Sequence, residues 1–269
     1  KLAKQRLPSP IFDYIDGAAD DELTCRRNSR SFEECDLVPN VLKGVSHIDM
    51  SVTVMGQKLQ MPLFCSPTAL QRLFHHEGER ATAGAAAKFG TMFGVSSLGT
   101  VSLEELRKIY NTPQVYQFYF HKDRALNQVM MERAKAAGVD VMMLTVDSIT
   151  GGNRERDLRN GFSIPFRLTL SGMLQFAFKP MWGINYVTHE SFKLPQLDDH
   201  VEMSGGALSI GRYFTEMLEP SMNWDDVAEM VKLWDGQFCL KGVMSVEDVK
   251  KAIDIGCTGV VLSNHGGRQ

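Results

Sequence analysis

Disulfide and zinc chemistry have little to work with in this chain. Its five cysteines, Cys25, Cys35, Cys65, Cys239 and Cys257, are odd in number and none stands in a CxxC pair. That argues against a disulfide framework or a zinc site and favours a reducing compartment. The opening residues do not read as a signal peptide, and none is expected. No uninterrupted apolar run reaches the roughly 18–20 residues that a membrane-spanning helix needs. Neither sign of charge dominates: 29 Lys and Arg against 32 Asp and Glu leave a formal net charge of -3, so no nucleic-acid partner is expected. No strand-like run leads into the GxGxxG turn of a dinucleotide fold. The 269 residues, 43% of them hydrophobic, are enough for one large domain or two small ones. The chain opens on Lys1 rather than Met and closes just behind an apolar run, so both ends read as cut.

What is present is a recurring unit: an amphipathic helix, a glycine, then a short apolar run that ends in polar residues. It reads 79–89, Gly90, 91–97; then 126–137, Gly138, 139–147; then 246–255, Gly256, 257–264. The glycine suits a left-handed cap after a helix. The apolar runs suit buried parallel strands. With runs at 61–66, 114–119 and 237–241, six strands are predicted, at 61–66, 91–97, 114–119, 139–147, 237–241 and 260–264. Polar, chemically capable residues stand at the C-terminal end of nearly every one, which is where a (β/α)8 barrel assembles its active site. The expectation is an α/β chain, a TIM barrel covering about six of eight βα units, with two units wanting at the C-terminus. Residues 153–223 break the pattern as a long insertion between the fourth and fifth predicted strands. Within it, 170–187 is rich in Met, Phe, Trp and Tyr, and 202–211 is rich in Gly and Ser.

The strand ends supply Pro67-Thr68-Ala69, Ser96-Ser97, Gln117-Phe118-Tyr119, Thr145-Val146-Asp147, Lys241-Gly242 and Ser263-Asn264-His265-Gly266-Gly267-Arg268, with Arg154 a little after the fourth. Such a ring, without metal-ligand spacing, suits an anionic organic substrate and a flat polar cofactor. His265 is the sharpest signal. Two glycines clear space beside it, and Arg268 offers a planar fork for a carboxylate three residues from a base of suitable pKa. The other six histidines have no such setting. Taken singly, Asp147 could cap a helix and Lys241 could be an ordinary charge at a barrel mouth.

The run Ser-Asn-His-Gly-Gly-Arg-Gln at 263–269 resembles the signature of the FMN-dependent 2-hydroxy acid oxidases and dehydrogenases. Phe12-Asp13-Tyr14, Asp16-Gly17-Ala18, Pro67-Thr68-Ala69, Gln117-Phe118-Tyr119, Leu144-Thr145-Val146-Asp147, Arg154-Glu155-Arg156-Asp157 and Leu240-Lys241-Gly242-Val243 match in order and rough spacing. The resemblance implies roles. His265 would take a proton from the substrate and Asp147 would stabilise the imidazolium. Arg154 and Arg268, with Tyr14, would hold the substrate carboxylate, and Tyr119 would hydrogen-bond the substrate oxygen. Lys241 would stand near the N1–C2 edge of the flavin. Ser96, Gln117, Thr145 and the backbone of Thr68-Ala69 would hold its ring. Arg156 is an alternative to Arg154, and Arg159 reads as solvated. The family's phosphate-binding loops would follow Gln269.

Ala69 and Leu98 would line the substrate side-chain pocket and favour lactate over glycolate or mandelate. The runs 152–170 and 176–182 resemble the quinone-linked lactate and mandelate dehydrogenases more than glycolate oxidase. The implied reaction is oxidation of L-lactate or a similar (S)-2-hydroxy acid, with a quinone or cytochrome as electron acceptor. A cytoplasmic homo-oligomer with peripheral contact between 170–187 and the inner face of a membrane completes the expectation. An oxidase using oxygen, a Schiff-base enzyme acting through Lys241, and an inactive barrel scaffold are the competing readings.

Overall fold

The computed structural model describes residues 1–148, 150–160, 162, 176–197 and 216–269. A short antiparallel hairpin, β1 (Val52–Val54) and β2 (Gln57–Leu59), precedes a five-stranded parallel sheet. The sheet comprises β3 (Phe93–Ser96), β4 (Gln114–Tyr119), β5 (Val141–Thr145), β6 (Gln237–Val243) and β7 (Gly259–Leu262), paired in chain order. A doubly wound sheet reverses its strand order at a switch point. This one runs straight through, as an arc of a (β/α)8 barrel must.

The predicted strand at 61–66 is reduced to a single parallel bridge between Cys65 and Phe93. It occupies the position before β3, with Cys65 N–H on Met92 O (3.0 Å) and Gly94 N–H on Cys65 O (2.8 Å). Pro62 and Pro67 lack the N–H groups that would extend the ladder on either side. The other five predicted strands form.

Three helices come first: α1 (Leu2–Arg6), α2 (Ser9–Asp16) and α3 (Leu23–Glu33). Between the strands run α4 (Gln71–Phe74), α5 (Glu79–Lys88), α6 (Leu103–Ile109) and α7 (Arg124–Ala136). After β5 come α8 (Glu155–Asn160), α9 (Pro180–Thr188) and α10 (Trp224–Trp234), and after β6 comes α11 (Val246–Asp254). The predicted helices are α5, α7 and α11. Each ends at a glycine of positive φ: Gly90 (61°), Gly138 (74°) and Gly256 (93°). Asp123 starts α7 by accepting the N–H groups of Ala125 and Leu126, and Ser245 starts α11 by accepting that of Asp248. The stretch 202–211 and the first part of the aromatic stretch, 170–175, lie outside the described residues.

Alternation along the strands sorts the core into two layers. Phe93, Val95, Tyr116, Phe118, Met142, Leu144, Phe238 and Leu240 are buried against the helices. Met92, Val115, Val141, Met143 and Cys239 form a second, inner cluster closed by Leu59 and Met55 of the hairpin. The hairpin therefore plugs the N-terminal mouth. Toward the other mouth the inward rows carry Ser96, Gln117 and Tyr119, Thr145 and Lys241. Among the described residues no helix is long and apolar enough to cross a membrane, and no group of three or more His, Cys, Asp or Glu could hold a metal ion.

Candidate active site

Parallel register lines up the inward polar residues. Ser96 pairs with Gln117, Tyr119 with Thr145, and Thr145 with Lys241. The Ser96 hydroxyl donates to Gln117 Oε1 at 3.1 Å, and Gln117 Nε2 donates to Thr145 Oγ1 at 2.8 Å. All three side chains are buried. A buried polar row survives only when its groups are hydrogen-bonded, and this one satisfies itself across three strands.

Beyond the row stands a charged cluster. His265 Nδ1 lies 2.8 Å from Asp147 Oδ1, and Lys241 Nζ lies 3.4 Å from the same nitrogen and 3.9 Å from Asp147 Oδ2. The shorter contact decides the tautomer. A carboxylate can only accept, so Nδ1 carries a hydrogen and Nε2 is the ring nitrogen that can serve as a base. The ammonium, itself a donor, is a neighbour and not a partner of Nδ1. Burial pushes the Asp147 carboxyl up, but the hydrogen bond from His265, the charges of His265 and Lys241, and the Ser148 hydroxyl outweigh it and hold the group below the ordinary range. Burial lowers Lys241, with Asp147 opposing. Gly242 makes room for the pair: at its φ of 106° a Cβ would fall 2.5 Å from Asp147 Cβ.

The turn that presents His265 is strained by design. His265 has φ of 56°, outside the range most side chains prefer. Its N–H donates to Ser263 Oγ at 3.0 Å. Helix α3 holds the turn from outside. Asn28 and Asn264 exchange side-chain amide bonds at 3.0 and 2.8 Å, and the Ala19 N–H donates to Gly267 O at 2.9 Å. A Cβ on Gly267 would meet Cys25 N at 2.7 Å, so only glycine permits this approach.

A third group gathers at the end of α2. Arg268 Nη2 donates to Ile15 O at 2.5 Å, and Arg154 Nη2 donates to Tyr14 O. The Arg154 guanidinium also lies 4.5 Å from the Tyr14 ring centroid and pairs through Nε with Asp157 Oδ2 at 3.1 Å. Burial raises Tyr14, opposed by Arg154 and more weakly by Arg268. Phe162 stacks on the same ring at 4.7 Å. Two guanidinium groups on consecutive carbonyls beside a tyrosine form a cationic corner suited to a carboxylate. Arg156 is otherwise engaged, bound to Asp16 at 3.0 Å and Glu22 at 2.5 Å, and Arg159 pairs with Glu155.

The structure thus brings together Ser96, Gln117 and Thr145; His265, Asp147 and Lys241; and Tyr14, Arg154 and Arg268. Tyr119 is buried two residues beyond Gln117 on the same strand. Leu98 is buried, and its carbonyl accepts the Leu70 N–H at 3.0 Å, which sets the loop of Thr68 and Ala69 against its own. Sequence reasoning gave no role to Gly242, to the Asn28–Asn264 pair or to Asp157. Gly242, Asn264 and Asp157 left a signal, since each stands inside a matched block, whereas Asn28 left none. A cavity of about 490 Å³ lies among segments near residues 5–7, 72–76 and 178–186 and is lined by none of the predicted site residues. Another, about 420 Å³, reaches Tyr119 and Thr145. Convergence of charged and polar strand ends locates the site better than cavity size.

A buried, self-satisfied polar row ending in a cation fits the flat heteroaromatic ring of a flavin. The chain belongs to the FMN-dependent dehydrogenase family, which it matches over residues 3–269, and FMN is that family's cofactor. It is 38% identical over 272 residues to a provisionally named L-lactate dehydrogenase of Mycobacterium tuberculosis, covering all of this chain and 64% of the relative. It is 38% identical over 273 residues to an L-lactate oxidase of Nostoc, covering 69% of that protein. The chain therefore spans about two thirds of the length of these relatives. Among solved structures, one described as the monotopic membrane protein (S)-mandelate dehydrogenase superposes with a TM-score of 0.91 at 31% identity, covering all of this chain and 71% of the other.

Proposed function

We propose that the protein carrying this chain oxidises a small (S)-2-hydroxy acid, L-lactate foremost, to the 2-oxo acid and passes the electrons to a quinone or cytochrome. The observation that carries the reading is the 2.8 Å contact between His265 and Asp147, set at a strand end within a (β/α)8 barrel. His265 Nε2 takes the substrate proton, and Asp147 stabilises the resulting imidazolium. Arg154 and Arg268, with Tyr14, hold the carboxylate, and Tyr119 hydrogen-bonds the substrate oxygen. Ser96, Gln117, Thr145 and the backbone of Thr68 and Ala69 would hold the flavin ring, and the Lys241 cation would stabilise negative charge on it. FMN, when bound, accepts the two electrons. General base catalysis contributes ~10²–10⁴-fold, and orientation of carboxylate and ring supplies the rest.

Lactate is favoured because Ala69 and Leu98 would leave a small apolar pocket, and two relatives at 38% identity carry lactate names. A quinone acceptor fits the surface of α9. Phe178 just before the helix and Met181, Ile184 and Val187 on it are apolar and 51–80% exposed. The opposite side is anchored, with Trp182 Nε1 donating to Leu73 O at 2.8 Å. An amphipathic segment of this kind lies in a membrane interface without crossing it, and the dehydrogenase structure of TM-score 0.91 is described as monotopic. Oxygen as acceptor is the second reading, favoured by the oxidase name of the Nostoc relative.

The deciding experiment is an assay of the full-length protein, purified with its flavin, on L-lactate, glycolate and (S)-mandelate. Each is supplied with oxygen alone or with a soluble quinone, and cell fractions are assayed in parallel. Lactate turnover that needs the quinone and sediments with membranes is expected. Rapid oxygen consumption by a wholly soluble protein would overturn the acceptor and membrane readings, and a preference for glycolate would overturn the substrate.

A further inference from the structure

Helix α5 begins on a carboxyl that solvent does not reach: Glu79 is 0% exposed. Its Oε1 accepts the Thr100 backbone N–H at 2.8 Å, and its Oε2 accepts the Thr100 hydroxyl at 2.6 Å. That hydroxyl oxygen in turn accepts the backbone N–H of Arg72 at 3.0 Å. One carboxyl therefore joins the start of α5, the loop after β3 and the start of α4. Burial raises its pKa, with the Thr100 donors opposing. Carrying a carboxyl into the interior is costly unless its bonds do something an apolar side chain could not.

A second thread runs parallel to the first. The Thr82 hydroxyl donates to Gln71 Oε1 at 2.7 Å, and Gln71 Nε2 donates to Thr68 Oγ1 at 2.9 Å. From the segment after α9, Gln196 Nε2 donates to Val101 O at 3.1 Å and to Ser96 O at 3.3 Å. The loop between them is packed without slack: a Cβ on Gly99 would lie 2.8 Å from Gln196 Nε2 and 3.4 Å from Glu79 Oε1. The two loops so tied carry Thr68 and Ala69 on one side and Ser96 and Leu98 on the other.

We propose that Glu79 is a positioning residue that sets the spacing between the loop of Thr68 and Ala69 and the loop of Ser96 and Leu98, and so holds the cofactor row in register with the substrate pocket. The inference rests on the flavin reading of those loops. Its geometry is specific. Thr100 offers two donors to one carboxyl, so loss of either end of the bridge frees the same loop.

The test uses the full-length protein with its flavin and three variants, Glu79→Gln, Thr100→Val and Thr100→Ser. The readouts are FMN affinity by fluorescence quenching, the shape of the visible flavin band, and KM and kcat on L-lactate. Glu79→Gln and Thr100→Val should each weaken FMN binding roughly tenfold, the scale of one hydrogen bond to a charged group. Both should alter the flavin band and raise KM more than they lower kcat. Thr100→Ser keeps the hydroxyl and should stay within about twofold of wild type on the same scale. If Glu79→Gln does not fold, the Thr100 pair decides. Equal behaviour of Thr100→Val and Thr100→Ser, or a melting shift with wild-type flavin affinity and band, overturns the assignment. Absence of FMN binding by wild type overturns the flavin reading itself, whereas a flavin-binding wild type matched by its variants overturns only the role of Glu79.

Discussion

The two sides of the barrel mouth are built by different means. On one side Ser96, Gln117 and Thr145 are neutral, buried and aligned by parallel register, and their bonds span 21 and 28 residues. On the other, His265, Asp147, Arg154 and Arg268 are charged or chargeable, and their positions depend on turns and on distant carbonyls. Arg268 reaches Ile15 across 253 residues, and Arg154 reaches Tyr14 across 140. A sheet places a row of side chains with little help from elsewhere, because alternation and register follow from the backbone. A cluster of charges needs clearances such as Gly242 and outside supports such as α2 and α3. The first side should therefore govern stability and cofactor fit, and the second the rate.

The largest effect expected on that view is at His265. His265→Asn keeps a residue that tolerates the left-handed region and removes the base. Turnover on L-lactate should fall by ~10²–10⁴-fold while bound flavin, read from its visible absorbance, stays in place. Wild-type-like turnover would end the assignment of His265 as base. Loss of flavin together with turnover would show that the charged side also holds the cofactor, and the contrast between the sides would dissolve.

Arg268→Lys tests the cationic corner. It keeps the charge and loses the planar fork that grips a carboxylate. Catalytic efficiency on L-lactate should fall by roughly tenfold or more, as for loss of one charge-assisted hydrogen bond. Activity on the matching alcohol without a carboxylate should change far less. Equal losses on both substrates would mean that Arg268 acts on the fold and not on the substrate.

Legibility divides along the same line. The strand ends were readable because period and polarity are local: 114–119 and 237–241 need no partner to announce a buried strand with a polar end. The run 61–66 misled because its apolar content outweighed the two prolines that break its ladder. The His265 turn was readable from its glycines and Arg268. The match of seven blocks named the remaining residues, but nothing local said that Arg154 and Arg268 would meet on consecutive carbonyls of α2. Helices α1 to α3 carry short or polar patterns, and their value lies in contacts with residues more than a hundred positions away. Glu79 was invisible for the converse reason: an acidic residue in the first turn of a helix is ordinary, and only burial shows it to be otherwise.

A smaller effect is expected in acid. In the folded chain Asp147 titrates below its unfolded value, since His265 and Lys241 outweigh burial. Its stabilising contribution is complete above the unfolded pKa, ~3.9, and is lost as pH falls through the folded value. Asp147→Asn should therefore narrow the stability gap to wild type as pH drops from neutrality below about 4. Denaturant titrations at several pH values measure it. A gap that widens on acidification would show that the carboxyl is not held ionised by its neighbours.

The smallest effect is expected in the neutral row, and it should be of another kind. Ser96→Ala removes a hydroxyl that gives a hydrogen bond to Gln117 Oε1 and receives one from the Leu98 N–H at 3.2 Å. Both partners are buried, so the cost is that of orphaned polar groups, ~1–3 kcal/mol. In a chain of this size 1 kcal/mol moves Tm by roughly 2–4 °C. Gln117 keeps its bond to Thr145 and with it the row's orientation, so FMN affinity should weaken modestly and turnover at saturating FMN should fall far less than in His265→Asn. Calorimetry beside steady-state kinetics separates the two quantities. If Ser96→Ala instead left Tm in place and abolished turnover, the neutral row would belong to the chemistry, and division of labour across the barrel mouth would be the wrong account of this site.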